Sequence, residues 1–255
     1  MPHPKRISTQ YVQVEGRRVR YLVTGEGDPV ILVHGLSAST HWWIRNVSEL
    51  ASHYRVYLVD LPGFGAMRFH RSRFVFANAA SWLLSWMEAV GLKRAHFIGH
   101  SMGGYICMQI AAHHPEVVSR LVLVAPAVRS HVRNVTDYFI PMLLCLRYTT
   151  PSFLPILFFD GLRAGPLTLL RGTRDLIALR TQEDIRAVTA PTLVVWGEND
   201  TLVLPSLAYI LQKEIAHSHL VLLKKGGHIC MYDCYRDFNA AVLAFLHGED
   251  TSEPL

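Results

Sequence analysis

Two patterns of apolar and polar residues follow each other along the chain. Over the first 25 residues, apolar and polar positions alternate on either side of Glu15-Gly16, which predicts a β-hairpin. Farther along, short runs rich in Val, Ile and Leu are nearly continuous, as in strands that are buried on both faces of a parallel sheet. These runs occupy residues 29–35, 54–60, 95–101, 120–126, 191–197 and 219–228.

Segments with helical periodicity separate these runs. In residues 76–92, Leu83, Trp86 and Val90 recur at helical spacing, and Gly91 provides a typical helix end. Further helices are predicted for residues 103–114, 205–216 and 235–248. The alternation of strands and helices predicts an α/β fold, with right-handed crossovers and helices on both faces of an open, mostly parallel sheet.

One long interval lacks any strand-like run. Residues 127–190 are rich in Pro, Arg and large apolar residues, and long insertions at the carboxyl end of a parallel sheet usually cover a site. We expect residues 130–185 to form a helical cap and residues 1–129 and 186–255 to form the core domain. The most apolar part, residues 139–159, is broken by arginine, threonine and proline residues, so it does not predict a membrane-spanning helix, which needs about 20 apolar residues.

Composition and charge narrow the class of protein. The chain has 255 residues, 50% of them hydrophobic and 18% charged, which suits one large α/β domain with a substantial core. The net charge of +5 comes from basic residues spread along the chain, without the aromatic interleaving or helix-turn-helix pattern of nucleic-acid binding. Since the N-terminus has no apolar signal segment, we expect a cytoplasmic monomer or small homo-oligomer with no nucleic-acid partner and no transmembrane segment.

The cysteines do not predict a metal site. Cys107 and Cys145 lie in apolar surroundings, as buried free thiols usually do. Cys230 and Cys234 are close to His228 in sequence, but no CxxC pair or further cluster of ligands completes a zinc site. We therefore expect neither a metal nor another cofactor.

Ser101 stands where a predicted buried strand passes into a helix. The stretch Gly99-His100-Ser101-Met102-Gly103 fits the pattern G-x-S-x-G, in which small residues allow a sharp turn that raises the serine hydroxyl above the sheet. The helix that begins there directs its positive end at the site. The pattern predicts a nucleophilic serine, and the alternative is a glycine-rich turn with a bystander serine.

A serine nucleophile needs a base, and the base needs a third group that orients it. His228 follows the last predicted strand and a glycine pair, which places its imidazole on a loop. Asp200 follows the run 191–197 and is the expected orienting acid, with Glu198 on the same loop as an alternative. The order Ser101, Asp200, His228 is the one expected for this arrangement on an α/β sheet.

The oxyanion that develops during acyl transfer needs hydrogen-bond donors. One expected donor is the backbone amide of Met102, directly after the serine. The second is the amide of Leu36, in the loop after the run 29–35, where the turn at His34-Gly35 lets the chain face the serine.

These features together resemble the α/β-hydrolase superfamily over most of the chain. The residues that carry the resemblance are VHGLSAS (33–39), DLPGFG (60–65), GHSMGG (99–104), WGENDTLV (196–203) and GGH (226–228). The resemblance implies an eight-stranded, mostly parallel sheet, a helical cap inserted after strand 6, and no metal or organic cofactor. It also implies a Ser101–His228–Asp200 triad with Leu36 and Met102 as oxyanion donors. One departure is Ala66, after DLPGFG, where many relatives carry Ser or Thr.

The residue types also limit the reaction. A serine nucleophile excludes relatives that attack with aspartate, and it leaves esterases, lactonases, lipases, perhydrolases and carbon–carbon hydrolases. The last are disfavoured because they tend to follow His-Gly with a small residue and Gly-Pro-Gly, whereas Leu36 stands here. The apolar residues of 139–159 either pack the cap onto the sheet or form an acyl pocket or lipid-facing lid. We expect a carboxylesterase for short- to medium-chain apolar acyl esters.

Two other functions stay open at this point. The same triad could open a lactone or pass the acyl group to peroxide or an alcohol, as in a perhydrolase or acyltransferase. The chain could also be a ligand sensor that keeps the fold and triad and signals through its cap, although no residue marks a partner surface.

Overall fold

A single sheet of eight strands organises the structure, a computed structural model that describes residues 6–68, 76–128, 134–179 and 181–249. In space the strands follow the order β1-β2-β4-β3-β5-β6-β7-β8. The pairs β1–β2 and β2–β4 are antiparallel and all other pairs are parallel, so the predicted eight-stranded, mostly parallel sheet is confirmed. The strands are β1 (Ser8–Val14), β2 (Arg17–Thr24), β3 (Pro29–Val33), β4 (Arg55–Val59), β5 (Ala95–His100), β6 (Val118–Val124), β7 (Thr192–Gly197) and β8 (Ser218–Leu223).

The helices predicted between the strands are also confirmed. They correspond to α2, α3, α8 and α10, whereas the four-residue helices α1 and α9 are too short to leave a periodic pattern and were not predicted. The α-helices of the described residues are α1 (Val47–Leu50), α2 (Ala79–Val90), α3 (Met102–His113), α4 (Phe139–Cys145), α5 (Leu154–Ala164), α6 (Pro166–Ile177), α7 (Gln182–Ala187), α8 (Ser206–Glu214), α9 (Cys230–Asp233) and α10 (Tyr235–His247).

Two boundaries follow from turns. The predicted hairpin joins β1 to β2 through Glu15 and Gly16, which both have positive φ (50° and 74°), as the tightest hairpin turns require. The run predicted to continue to residue 228 ends as a strand at Leu223. The chain then turns, and the amide of Gly226 donates to the Leu223 carbonyl at 3.0 Å, so the glycine pair lies in a loop.

Alternate residues of the parallel strands pack into two cores. In β5, Phe97 belongs to the core that includes α2, α3 and α8, whereas Ile98 belongs to the core that includes α1 and α10. Both side chains are fully buried because helices cover both faces of the sheet. Only the loops at the strand ends are then free to carry polar groups, and sites of open α/β sheets lie at the carboxyl ends of the strands.

The chain between β6 and β7, residues 125–191, contains α4 to α7, and we call it the helical insertion. The predicted cap, residues 130–185, falls within it, although residues 129–133 and 180 lie outside the described residues. The boundary predicted at residue 185 falls inside α7, and the division into core and cap domains stays a prediction.

Two helical stretches of this insertion are strongly apolar. Among the residues that the structure describes, no single helix is long and apolar enough to span a membrane. Val135–Tyr148 and Pro151–Ala164 meet the criteria of length and composition only as a pair, and the pair is bent by 119°. The apolar stretch 139–159 is thus divided between two helical stretches at a sharp angle.

Candidate active site

Ser101 occupies the turn between β5 and α3. Its backbone has φ 52° and ψ −116°, a strained conformation of the kind that costs on the order of 1–3 kcal/mol. Hydrogen bonds hold the turn: the Ser101 amide donates to the Val124 carbonyl at 2.9 Å, and the Ser101 carbonyl accepts from the Ala127 amide at 3.0 Å. The strained turn predicted from G-x-S-x-G is therefore present, and the role of the hydroxyl as nucleophile stays a prediction.

The glycines that flank the serine allow close packing. A Cβ on Gly99 would collide with the Gly103 carbonyl oxygen, and a Cβ on Gly103 would collide with the carbonyl oxygens of Val33 and His34. The start of α3 therefore lies directly against the end of β5 and the loop after β3. This packing brings the serine next to the loop that carries Leu36.

His228 and Asp200, which are 28 residues apart in sequence, form a buried pair. His228 Nδ1 lies 2.8 Å from Asp200 Oδ2. Because a carboxylate can only accept a hydrogen bond, Nδ1 carries the proton and donates it, which leaves Nε2 as the free acceptor of the ring. The structure thus brings together the predicted base and the predicted orienting acid, and it leaves Glu198 exposed on the same loop.

The loop that holds Asp200 is braced from both sides. Asp200 Oδ1 accepts hydrogen bonds from the amides of Leu202 (2.8 Å) and Val203 (2.9 Å). The buried indole N–H of Trp196 in β7 donates to the Val203 carbonyl at 2.9 Å. Both carboxylate oxygens are therefore occupied, and the side chain has one orientation toward His228.

His34 fixes the loop that carries one predicted oxyanion donor. Its Nε2 accepts from the Leu61 amide at 3.0 Å, so Nδ1 carries the proton and donates to the Gly35 carbonyl at 2.8 Å. Burial lowers the pKa of His34, which keeps the ring neutral. A Cβ on Gly35 would lie 3.2 Å from Ser101 Cβ, so the chain passes the serine immediately before Leu36.

The second predicted donor, Met102, is the first residue of α3. Amides in the first turn of a helix have no partner within the helix, and the helix dipole adds positive potential at that end. The Met102 side chain is fully buried, which anchors its amide directly after the serine. The structure places the two predicted donors on segments that adjoin Ser101.

His100 links the serine turn to the base, a role that sequence reasoning missed. Its Nε2 donates to the His228 carbonyl at 2.9 Å, and the two rings are 4.8 Å apart. Burial, with a contribution from His228, lowers the pKa of His100 well below its ordinary value, so this ring is neutral. No hydrogen bond joins the described side chains of Ser101 and His228, which is common before a substrate binds.

The arrangement can be compared with known proteins. The sequence profile described as alpha/beta hydrolase fold matches residues 28–155, half of the chain. The chain belongs to the α/β-hydrolase family. The predicted fold class and the predicted resemblance are thereby confirmed, and the family supports hydrolase function.

Relatives of this hydrolase act in different reactions. A putative carbamate hydrolase of Caulobacter sp. (strain K31) is 30% identical, with 86% of this chain and 91% of the relative covered. The acetyltransferase component of an acetoin cleaving system of Pseudomonas putida is 28% identical over 93% of this chain and 69% of that longer protein. A serine hydrolase involved in carbazole degradation has 27% identity and a TM-score of 0.82, with 96% of this chain and 100% of that one covered.

The helical insertion of this hydrolase contacts the loop after β3 through a buried carboxylate. Asp160 Oδ2 accepts from the Ser39 hydroxyl at 2.6 Å and from the Trp42 indole N–H at 3.1 Å. Asp160 Oδ1 faces Arg163 at 3.4 Å. Sequence reasoning missed this residue, although it is the only acidic residue between positions 139 and 174, and a lone acid in an apolar run is a usable signal.

A second contact of the insertion lies at the predicted base. Burial raises the pKa of the Cys145 thiol to about 11, and a hydrogen bond with the backbone of His228 opposes that shift. A Cβ on Gly227 would lie 3.0 Å from the Tyr148 side chain, so the end of this helical stretch lies against the loop of His228. The insertion therefore packs beside the predicted site, as expected of a cap.

Asp60, within DLPGFG, joins the two loops that follow β3 and β4. Its carboxylate accepts from the Thr40 amide at 2.7 Å and from the Ala66 amide at 2.8 Å. At position 66, where many relatives carry Ser or Thr, the backbone amide of Ala66 thus makes this hydrogen bond. Residues 69–75, which include most of the basic stretch after it, lie outside the described residues.

The described residues contain no cluster of metal ligands. In these ranges no group of three or more His, Cys, Asp or Glu side chains could hold a metal ion. All four cysteines are free thiols, and Cys107, Cys145 and Cys230 are buried. Burial raises the pKa of the Cys107 and Cys230 thiols, so both stay protonated.

Proposed function

We propose that the protein is a serine carboxylesterase that cleaves short- to medium-chain apolar acyl esters through a Ser101–His228–Asp200 triad. The observation that carries this proposal is the 2.8 Å hydrogen bond between His228 Nδ1 and Asp200 Oδ2, beside the strained turn of Ser101. An imidazole held in this way has a free Nε2 that can accept a proton. Hydrolase function agrees with the family, and the ester specificity is our inference.

The first half of the reaction forms an acyl-enzyme. Ser101 Oγ attacks the ester carbonyl carbon while His228 Nε2 takes the hydroxyl proton. The amides of Leu36 and Met102 donate hydrogen bonds to the oxyanion. When the tetrahedral intermediate collapses, the bond to the alcohol oxygen breaks and His228 returns its proton to the leaving alcohol.

The second half releases the acid. A water molecule attacks the acyl carbon while His228 Nε2 takes a proton from it, and the second tetrahedral intermediate expels Ser101 Oγ, which recovers the proton. Asp200 stabilises the imidazolium that forms in each half and keeps its ring in place. No group besides the chain, the ester and water is needed for this cycle.

Acyl transfer is the alternative that one comparison favours. The relative from Pseudomonas putida is named as an acetyltransferase component, and the same acyl-enzyme can be attacked by an alcohol instead of water. Adding a primary alcohol during turnover separates the two reactions, because a transferase forms mainly the new ester while an esterase forms mainly the acid. A lactonase or perhydrolase would be identified in the same way, with a lactone or peroxide.

The test is steady-state hydrolysis of p-nitrophenyl esters from acetate to palmitate. We expect kcat/KM to be highest for a short or medium acyl chain, and Ser101→Ala to lower kcat by about 10⁶-fold, the typical loss of a triad serine. Ser52→Ala, which removes an exposed hydroxyl, should retain full activity. Turnover that persists in Ser101→Ala would reject the serine mechanism, and absence of turnover on every ester would reject the esterase.

A further inference from the structure

The helical insertion exposes large apolar side chains to an unusual extent. Of the seventeen large apolar residues that are exposed among the described residues, eleven lie between Ile140 and Leu167. The exposed fraction is 67% for Ile140, 61% for Phe158 and 63% for Leu162. We call the exposed apolar side chains of α4, α5 and the start of α6 the apolar face. Contiguous apolar surface of this kind usually marks a site of interaction.

The exposure does not come from loose packing of the helix. Leu154, Phe158 and Leu162 recur at intervals of four residues and form one stripe along α5. The opposite side of the same segment buries Phe153 and Asp160, and Asp160 is hydrogen-bonded to the core. The helix therefore has a fixed inner side and an apolar outer side, which excludes the simple interpretation that all these residues pack the cap onto the sheet.

Arginines outnumber acids among the exposed charges around the apolar face, where Asp137 and Asp175 are exposed at its two ends. Arg147, Arg163, Arg171 and Arg174 are exposed in this part of the chain. The only acidic residue between positions 139 and 174 is Asp160, which is buried. An apolar surface whose segment carries four exposed arginines and two exposed acids, the acids at its ends, is complementary to an anionic lipid surface, where the apolar side chains enter the interface and the arginines reach the phosphates.

The dimensions favour a helix pair that lies on a bilayer. The stretches Val135–Tyr148 and Pro151–Ala164 meet at 119°, and each alone is too short to cross the hydrocarbon layer, which is about 30 Å thick. We propose that the apolar face is a peripheral docking surface for bilayers that contain anionic phospholipids. If the proposed esterase function also holds, docking places the adjacent His228 loop near esters dissolved in the membrane.

A second copy of the chain is the other occupant to consider. In a symmetric dimer the same patch faces itself, so Arg147 and Arg163 of both copies would approach each other. In this segment the only exposed acids among the described residues are Asp137 and Asp175, at its two ends. Because the exposed arginines outnumber these acids, the opposed charges disfavour the dimer, and the charge pattern favours the lipid surface.

The experiment is flotation of the full chain with vesicles of phosphatidylcholine alone or with 30% phosphatidylglycerol, in 50 mM salt. Ser101→Ala is used so that no ester can be cleaved during the measurement. We expect more than tenfold stronger partitioning to the anionic vesicles. Partitioning should fall when the salt concentration is raised to 500 mM, because exposed charges are then screened.

Two double variants locate the contact. Phe158→Gln with Leu162→Gln should lower partitioning by at least tenfold, and Arg147→Gln with Arg171→Gln should lower it to a similar extent, since each basic residue near an anionic surface contributes about fivefold. The matched control is Tyr209→Gln with Ile210→Gln on α8, which are 56% and 44% exposed and lie outside the apolar face. The control should bind as strongly as the parent chain.

Several results would overturn the proposal. These are equal binding to neutral and anionic vesicles, no binding to either, or loss of binding in the α8 control as large as in the Phe158 and Leu162 variant. A concentration-dependent dimer in light scattering that the Phe158 and Leu162 substitutions abolish would assign the apolar face to a second copy. Hydrolysis of soluble esters is measured separately, so failure of the esterase function and failure of docking give different results.

Discussion

At the carboxyl edge of the sheet the polar side chains are buried and hydrogen-bonded, whereas on the helical insertion large apolar side chains are exposed to solvent. The buried aspartates Asp60 and Asp200 have both carboxylate oxygens hydrogen-bonded. On the insertion, Phe158 and Leu162 are largely exposed to solvent. Internal hydrogen bonds fix the side chains at the edge of the sheet, and chemistry requires such fixed geometry. The exposed apolar side chains of the insertion have no such contacts and suit the binding of a partner, in our proposal a lipid surface.

After the Ser101 substitution, the largest expected effect concerns the polar groups at the carboxyl edge of the sheet. Asp200→Asn should lower kcat on a short ester by about 10⁴-fold, because an amide can hold His228 with the proton on the wrong nitrogen. Glu198→Gln, on the same loop but exposed, should change kcat by less than about twofold. Equal losses in both variants, measured by steady-state hydrolysis, would mean that the orienting acid has been assigned incorrectly.

A pair of glycine substitutions compares the two regions directly. Gly103→Ala would press a Cβ against the carbonyl oxygens of Val33 and His34, so we expect the free energy of unfolding to fall by about 3 kcal/mol. In Gly172→Ala, in α6, the new Cβ meets only the end of the flexible Leu36 side chain. Alanine also has a higher helix propensity than glycine. This substitution should change stability by less than about 1 kcal/mol.

Urea unfolding of both variants measures the difference. If Gly172→Ala destabilises the protein as much as Gly103→Ala, the insertion packs against the loop of Leu36 as tightly as the start of α3 packs against Val33 and His34. The contrast between a rigid edge and a more tolerant insertion would then be wrong.

The smallest expected effect concerns the carboxylate that joins the two regions. Asp160→Ala leaves the Ser39 hydroxyl and the Trp42 indole N–H without their acceptor, which should cost about 2 kcal/mol of the free energy of unfolding. Asp160→Asn keeps an acceptor oxygen at the same place and should cost less than about 1 kcal/mol. An asparagine variant as unstable as the alanine variant would show that the negative charge matters more than the hydrogen bonds.

Much of the fold could be predicted because strands that are buried on both faces of the sheet consist of nearly continuous apolar residues. In β3, the residues from Val30 to Val33 are all apolar and buried, and the pattern around Ser101 restricts the turn that follows β5. The pairing of Asp200 with His228 was also predictable, since both follow strands whose carboxyl ends meet at one edge. Local pattern and topology were sufficient there.

Contacts between distant segments were not predictable in the same way. His100 and Asp160 form their hydrogen bonds with residues 128 and more than 110 positions away, and nothing in their local sequence specifies the partner. The outward direction of Phe158 has a similar cause. An apolar helix has no polar side to indicate which residues face the core, so only the packed structure separates Phe153 from Phe158.

The neighbouring position of β6 and β7 has a consequence for how the molecule can evolve. These two strands pair directly, from Leu121 with Thr192 to Val124 with Val195, although the whole helical insertion lies between them in sequence. Between the ends of that interval, where Ala125 and Pro191 still bond to Val195 and Leu121, insertions and deletions need not break the pairing of β6 with β7. Lineages can therefore exchange the helices above the site, and with them the range of partners and substrates, while inheriting the same chemistry beneath.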